Sequence, residues 1–165
     1  MTSKQAVVEL FSPLLRELGH PLTRFERTHY ELPGGISERN GDVQLTFGSR
    51  TVHLAGAANG ASLIVNDIPW ADPFAGPLDE ETRAFLEKAG RWVLVDVSAM
   101  HPNARVIGVE LTEFFPIVDD AEFCSGVQLW FEEEAFSVIV DGDEVELVWG
   151  RDLLPGHRLL WAGVP

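Results

Sequence analysis

The chain has 165 residues, 45% of them hydrophobic, and its 26 acidic against 12 basic side chains leave a net charge of −14. That length suits a single α+β domain spanning residues 1–165, able to bury roughly 70% of its unfolded surface in one core, and the composition excludes a disordered chain. The charge opposes binding to nucleic acid or to an anionic membrane and favours a basic protein partner or plain solubility.

The first helix is expected from Ser3 or Thr2 as cap, with Val7, Leu10, Phe11, Leu14 and Leu18 on one stripe and Gly19 beyond its end. Pro13 either kinks it or, with Ser12 as cap, starts its second half. The run Leu22 to Leu32 alternates as a strand and is ended by Pro33-Gly34-Gly35. Asn40-Gly41 reads as a turn, after which Val43, Leu45 and Phe47 lie on one strand face; Gly48-Ser49-Arg50 links this strand to Val52 and Leu54. The small-residue patch Ala55 to Ala61 precedes a short strand from Ser62 to Asn66, and the proline-rich segment Asp67 to Pro77 is a loop.

A second helix is expected after the N-cap Asp79, with Glu80 and Glu81 in its first turn, Leu78, Thr82, Phe85, Leu86 and Ala89 on its packed side, and Gly90 as its stop. Arg91 to Ser98 is apolar at nearly every position, the pattern of a strand buried on both faces, with Asp96 as a buried carboxylate within it. After a His101-Pro102-Asn103 turn, Val106 to Phe115 is read as the next strand and Asp119 to Glu122 as an acidic loop. The tail, including Leu159-Leu160-Trp161, is apolar enough to pack back on the rest.

The most legible stretch is Gly126 to Trp149, three consecutive antiparallel strands. Val127, Leu129, Phe131, then Phe136, Val138, Val140, then Val145, Leu147, Trp149 form one apolar face. Asp141-Gly142-Asp143 supplies a tight hairpin turn, and Glu132, Glu133 and Glu134 the polar connection before it. The opposite face is mixed, because Trp130, Ile139 and Val148 sit on it among Glu144 and Glu146. A helix of the same chain or a second subunit is expected to cover it. Together these elements predict a largely antiparallel sheet of about seven to nine strands with two main helices; the two halves share a rough order of helix then strands, from near Ser3 and near Asp79, but their residue identities do not support a true repeat.

The acidity is localised. Residues 106–150 hold 12 acidic side chains and no Lys or Arg. Ten Arg against two Lys match the usage of a GC-rich bacterial genome, whose proteins can be acidic without an acidic function. The absence of a signal-peptide pattern after Met1, of any apolar run near ~20 residues, and of a second cysteine beside Cys124 fits a soluble cytoplasmic protein.

Chemical motifs are sparse. Neither Asp119, Asp120, Glu122 nor Asp141, Asp143, Glu144 has calcium-loop spacing, and the five histidines lack metal-ligand spacing, so no metal is expected. There is no phosphate-binding glycine loop and no serine elbow, and hence no cofactor or catalytic residue is assigned. Cys124 reads as structural. Three functions follow as expectations. The first is a non-catalytic acidic protein-binding module, in concrete form a bacterial immunity or neutralising partner of a basic protein, binding through Trp130, Glu132, Glu133, Glu134, Ile139, Glu144, Glu146 and Val148, with Trp70 as a lesser interface candidate. The second is a small-molecule binder or enzyme with a pocket between helix and sheet using His29, His53 and Asp96. The third is a structural homodimer closing over Trp130, Ile139 and Val148.

Overall fold

The computed structural model describes residues 4–160, without the side chains of Lys4 and residues 36–40. Two antiparallel sheets of five strands face each other. The first contains β1 (Arg24–Leu32), β2 (Gly35–Phe47), β3 (Arg50–Gly56), β4 (Leu63–Asn66) and β5 (Arg91–Asp96), in the order β4-β3-β2-β1-β5. The second contains β6 (Leu111–Asp119), β7 (Cys124–Phe131), β8 (Glu134–Asp141), β9 (Glu144–Trp149) and β10 (His157–Leu159), in the order β10-β6-β7-β8-β9. Each sheet is thus a four-strand meander whose fifth strand returns to lie beside the first. The order the two halves share is one of strands, beginning at β1 and at β6 rather than at a helix.

The helices are lesser elements. There are α1 (Lys4–Leu10), α2 (Ser12–Leu15), α3 (Glu80–Ala89) and a 3-10 turn at Asn103–Arg105. The α+β description holds in its coarse form, but among the described residues ten strands replace the seven to nine expected, and three short helices replace the two main ones. Among the described residues no helix is long and apolar enough to cross a membrane.

Pro13 splits the N-terminal helix and sits in the first turn of its second half, where a missing N–H costs nothing. Val7, Phe11 and Leu14 of the expected stripe are buried, whereas Leu18 lies outside it. Ser12 is the first helical residue and not the cap; Thr2, Ser3 and Trp161 lie outside the described residues. Helix α3 is capped as the sequence implies, since the Asp79 carboxylate accepts a hydrogen bond from the Thr82 N–H at 2.7 Å. Yet none of its residues is buried and Phe85 is 60% exposed. It flanks β1, with the Tyr30 hydroxyl donating to the Ala89 carbonyl at 2.6 Å, and does not cover a sheet.

Three strand expectations change. Asn40-Gly41 is not a turn: the hairpin turns at Pro33-Gly34, and β2 runs on through 40–41 with a register irregularity against Arg27 to Glu31. A Cβ at Gly41 would lie 2.1 Å from the Thr28 hydroxyl and 2.6 Å from the Trp92 ring, so close packing, not turn geometry, needs this glycine. The strand expected from Val106 begins only at Leu111, and it carries Pro116 inside it, where the register against β7 shifts immediately afterwards. Arg91 to Asp96 is an edge strand, paired only with β1, and is half-exposed along most of its length rather than buried on both faces.

The core lies between the inner faces. Phe25 and Phe47 of the first sheet and Phe131 and Phe136 of the second form a chain of ring contacts: Phe25 to Phe136 at 5.3 Å, Phe136 to Phe131 at 5.8 Å, and Phe131 to Phe47 at 6.5 Å. Trp149 adds a contact at 4.9 Å to Phe136. Arg27 is buried in the same space, and its Nη2 donates to the carbonyls of Gly41 on β2 and Val145 on β9, joining one sheet to the other. Burial lowers its pKa, and the carboxylates of Glu146, Asp42 and Glu144, in that order, oppose the shift.

In each sheet the fourth strand and the fifth are at opposite edges, so the connection between them must cross the sheet. The inner faces are filled, and the crossings run over the outer faces. Residues 67–77 cross the first sheet, pinned where Gln44 Oε1 accepts the Trp70 N–H at 2.7 Å. Residues 150–156 cross the second, where Gln128 Nε2 donates to the Arg151 carbonyl at 3.2 Å. Four strand spacings are about 19 Å, within the reach of that seven-residue segment.

Phe136 touches three other core rings, and its replacement is a direct measure of the joint between the sheets. Phe136→Ala is expected to lower stability by about 3–5 kcal/mol, read as a fall in the urea midpoint at unchanged slope.

Candidate functional site

The residues expected to form one binding surface are separated by the fold. Glu132 and Glu133 form the two-residue loop between β7 and β8, with Glu132 in the left-handed region at φ 55, and Glu134 begins β8 with Arg105 at 3.8 Å. Glu144 lies at the other end of the same sheet, opposite Asp141. Glu146 and Val148 are half-buried along β9, and Glu146 is one of the carboxylates that sense Arg27.

The mixed face of the second sheet is covered by the chain itself. Ile139 has 0% of its surface exposed although it points away from the core, and Ser137 and Ile117 are equally inaccessible. The Arg151 guanidinium lies 4.6 Å above the Trp130 ring, and Trp130 Nε1 donates to Gln128 Oε1 at 3.0 Å. The crossing segment therefore takes the place assigned to a helix or a second subunit, and the observation that motivated a homodimer on this face is gone. Leu159 and Leu160 of the tail remain exposed.

The pocket candidates are also dispersed. Asp96 is not a buried carboxylate: its side chain is 55% exposed, 3.8 Å from Arg24, and the hydrogen bonds it accepts from Ser98 hold its pKa below the usual carboxylate range. Exposure removes the reason for placing it in a pocket. His29 shares the inner side of β1 with Phe25 and Arg27, whereas His53 points outward from β3, so the two do not meet across the sheet. His53 Nε2 instead lies 2.8 Å from Asp42 Oδ2. In the same cross-strand row as His53, Gln44 Nε2 donates to the buried Glu26 at 2.7 Å, its other end holding Trp70. Cys124 is buried elsewhere, its thiol pushed up to about 11 by desolvation. Among the described residues no three of His, Cys, Asp and Glu converge as metal ligands would.

Strand order creates two features that no single stretch of sequence displays. The turns β6–β7 and β8–β9 emerge at the same end of the second sheet, two strand spacings or about 10 Å apart. They bring Asp119, Asp120, Glu122, Asp141, Asp143 and Glu144 together, with Arg158 at 3.8 Å from Glu122. Beside this acidic end opens a cleft of about 310 Å³, walled by Trp70 of the first crossing segment and Trp92 of β5. Gly41, Gly56 and Ala57 leave its floor without bulk, and Asp42 and the β8–β9 turn with Asp143 complete it. Trp70 stood out in the sequence as an aromatic in a loop; Trp92, Asp42 and Asp143 carried no signal of a shared location.

Burial, and secondarily the charge of Arg27, lowers the pKa of His29 below the ordinary imidazole value of about 6.5. The unfolded chain then takes up the proton first, so stability falls as pH drops from about 6.5 towards the lowered folded value. His29→Gln is expected to flatten that part of the profile, measured as urea midpoints at pH 7 and pH 5.5. Arg151→Ala is expected to uncover Trp130, increasing exchange of its indole N–H and costing about 0.5–1 kcal/mol.

No protein-family model, no curated protein and no solved structure matches this chain.

Proposed function

We propose that the protein is a non-catalytic binding module for a basic protein, and that its contact surface is the acidic end of the second sheet rather than the sheet's outer face. The observation that carries this reading is the convergence of two acidic turns beside a cleft with aromatic walls. Carboxylates gathered within about a Debye length act as one field on an approaching cation and accelerate its encounter. Aromatic side chains next to them supply the apolar contact that holds a complex once formed. A neutralising partner of a basic protein would use both.

General acidity is the competing explanation, and a charge-matched comparison separates the two. An arginine-rich peptide is titrated at 50 mM and 300 mM salt against the parent chain. It is also titrated against a variant with Asp120, Asp141 and Asp143 changed to Asn, and against another with Glu80, Glu81 and Glu87 of α3 changed to Gln. Loss of about tenfold or more in the first variant and retention in the second is the expected result. Equal weakening in both reduces the acidity to a solvated surface and overturns the reading.

A further inference from the structure

We infer that the cleft between Trp70 and Trp92 is an anchor for a single cationic side chain, the guanidinium of an arginine or the ammonium of a lysine, presented by that partner. This rests on the basic-partner reading and specifies where one residue of the partner is held.

Size comes first. A volume of about 310 Å³ is at the low end of small-ligand pockets and is enough for one long side chain. The second consideration is the walls. Two indole rings line the same space, and an indole face is the best aromatic surface for an organic cation. Trp92 is held edge-on by Tyr30 at 5.4 Å, while the Trp70 backbone is fixed by Gln44. The Trp92 ring and the Trp70 backbone are therefore held before any ligand arrives, which lowers the cost of binding.

Charge decides between cation and anion. Asp42 and Asp143 line the cleft, and Glu144 flanks Asp143 in the same turn. Asp42 already has His53 Nε2 2.8 Å from its Oδ2; the other opposing group is Arg27, beneath the floor, where it donates to the carbonyls of Gly41 and Val145. Its guanidinium is already set against Glu146, Asp42 and Glu144, and those carbonyls are turned towards it. The mouth of the cleft is left negative. Gly60 packs against the same turn, a Cβ there coming within 3.0 Å of Asp143 Oδ1 and the Gly142 carbonyl, so the acidic rim rests on the β3–β4 loop.

The test titrates agmatine, an alkylguanidinium that also carries a terminal ammonium, and the uncharged butylurea into the full chain while the indole N–H resonances of the five tryptophans are followed. Agmatine is expected to move Trp70 and Trp92 on one saturating curve, butylurea to move neither, and Asp143→Asn, at an exposed turn position, to weaken agmatine about threefold with the fold intact. Equal shifts from butylurea, or shifts confined to other tryptophans, overturn the inference. If agmatine leaves the cleft untouched but the arginine-rich peptide still depends on Asp120, Asp141 and Asp143, the anchor falls and the binding function stands. If agmatine binds but the peptide shows no such dependence, the cleft is a small-cation site and the anchor as stated is overturned.

Discussion

The contact on which the structure depends is the seam of phenylalanines between the sheets. Phe136 and Phe131 of the second sheet touch each other and reach across to Phe25 and Phe47 of the first at ring separations of 5.3–6.5 Å, and the buried core residues of both sheets form one cluster with them. Each sheet alone would expose an apolar face to water; facing each other, both are buried, which is the dominant favourable term in folding. Arg27 is the one guanidinium among the described residues placed inside this joint, and its two carbonyl partners come from different sheets. A buried donor of that kind is stable only where its acceptors are presented at fixed positions, so it selects one alignment of the sheets over others.

Filling the inner faces has a consequence for the outer ones. Because the fifth strand of each sheet lies beyond the first, the chain must return across the sheet, and only the outer side is free. The two crossings then become structural parts in their own right. One fixes Trp70 above the polar row of Glu26 and Gln44; the other buries Ile139 and seats Arg151 on Trp130. The apolar residues on the mixed face are thus explained by intrachain cover, and the functional surface moves to the end of the sheet where the acidic turns emerge.

Local patterns carried over to the structure where local physics decides. The strands from Val127 to Trp149 keep the alternation the sequence shows, and their hairpin is closed by Gly142 at φ 63, the left-handed conformation glycine adopts without strain. The cap at Asp79 is likewise a matter of a carboxylate three residues from an N–H. Patterns failed where context decides. Arg91 to Asp96 is apolar enough for a buried strand, but the pattern does not say which strand is outermost, and an edge position exposes Asp96. Asn40-Gly41 has the composition of a turn, but Gly41 serves the approach of Thr28 and Trp92.

By itself, the sequence determined the antiparallel character of the protein, most of its strand segments, the amphipathic faces that make the core, and the concentration of acidic side chains in residues 106–150. These follow from periodicity and turn chemistry, which act over a few residues. Only the tertiary structure decided which turns share an end, which face each crossing segment covers, and that Trp70, Trp92, Asp42 and Asp143 border one cleft. Those are consequences of strand order, set by how two apolar faces can be buried at once with the connections left outside.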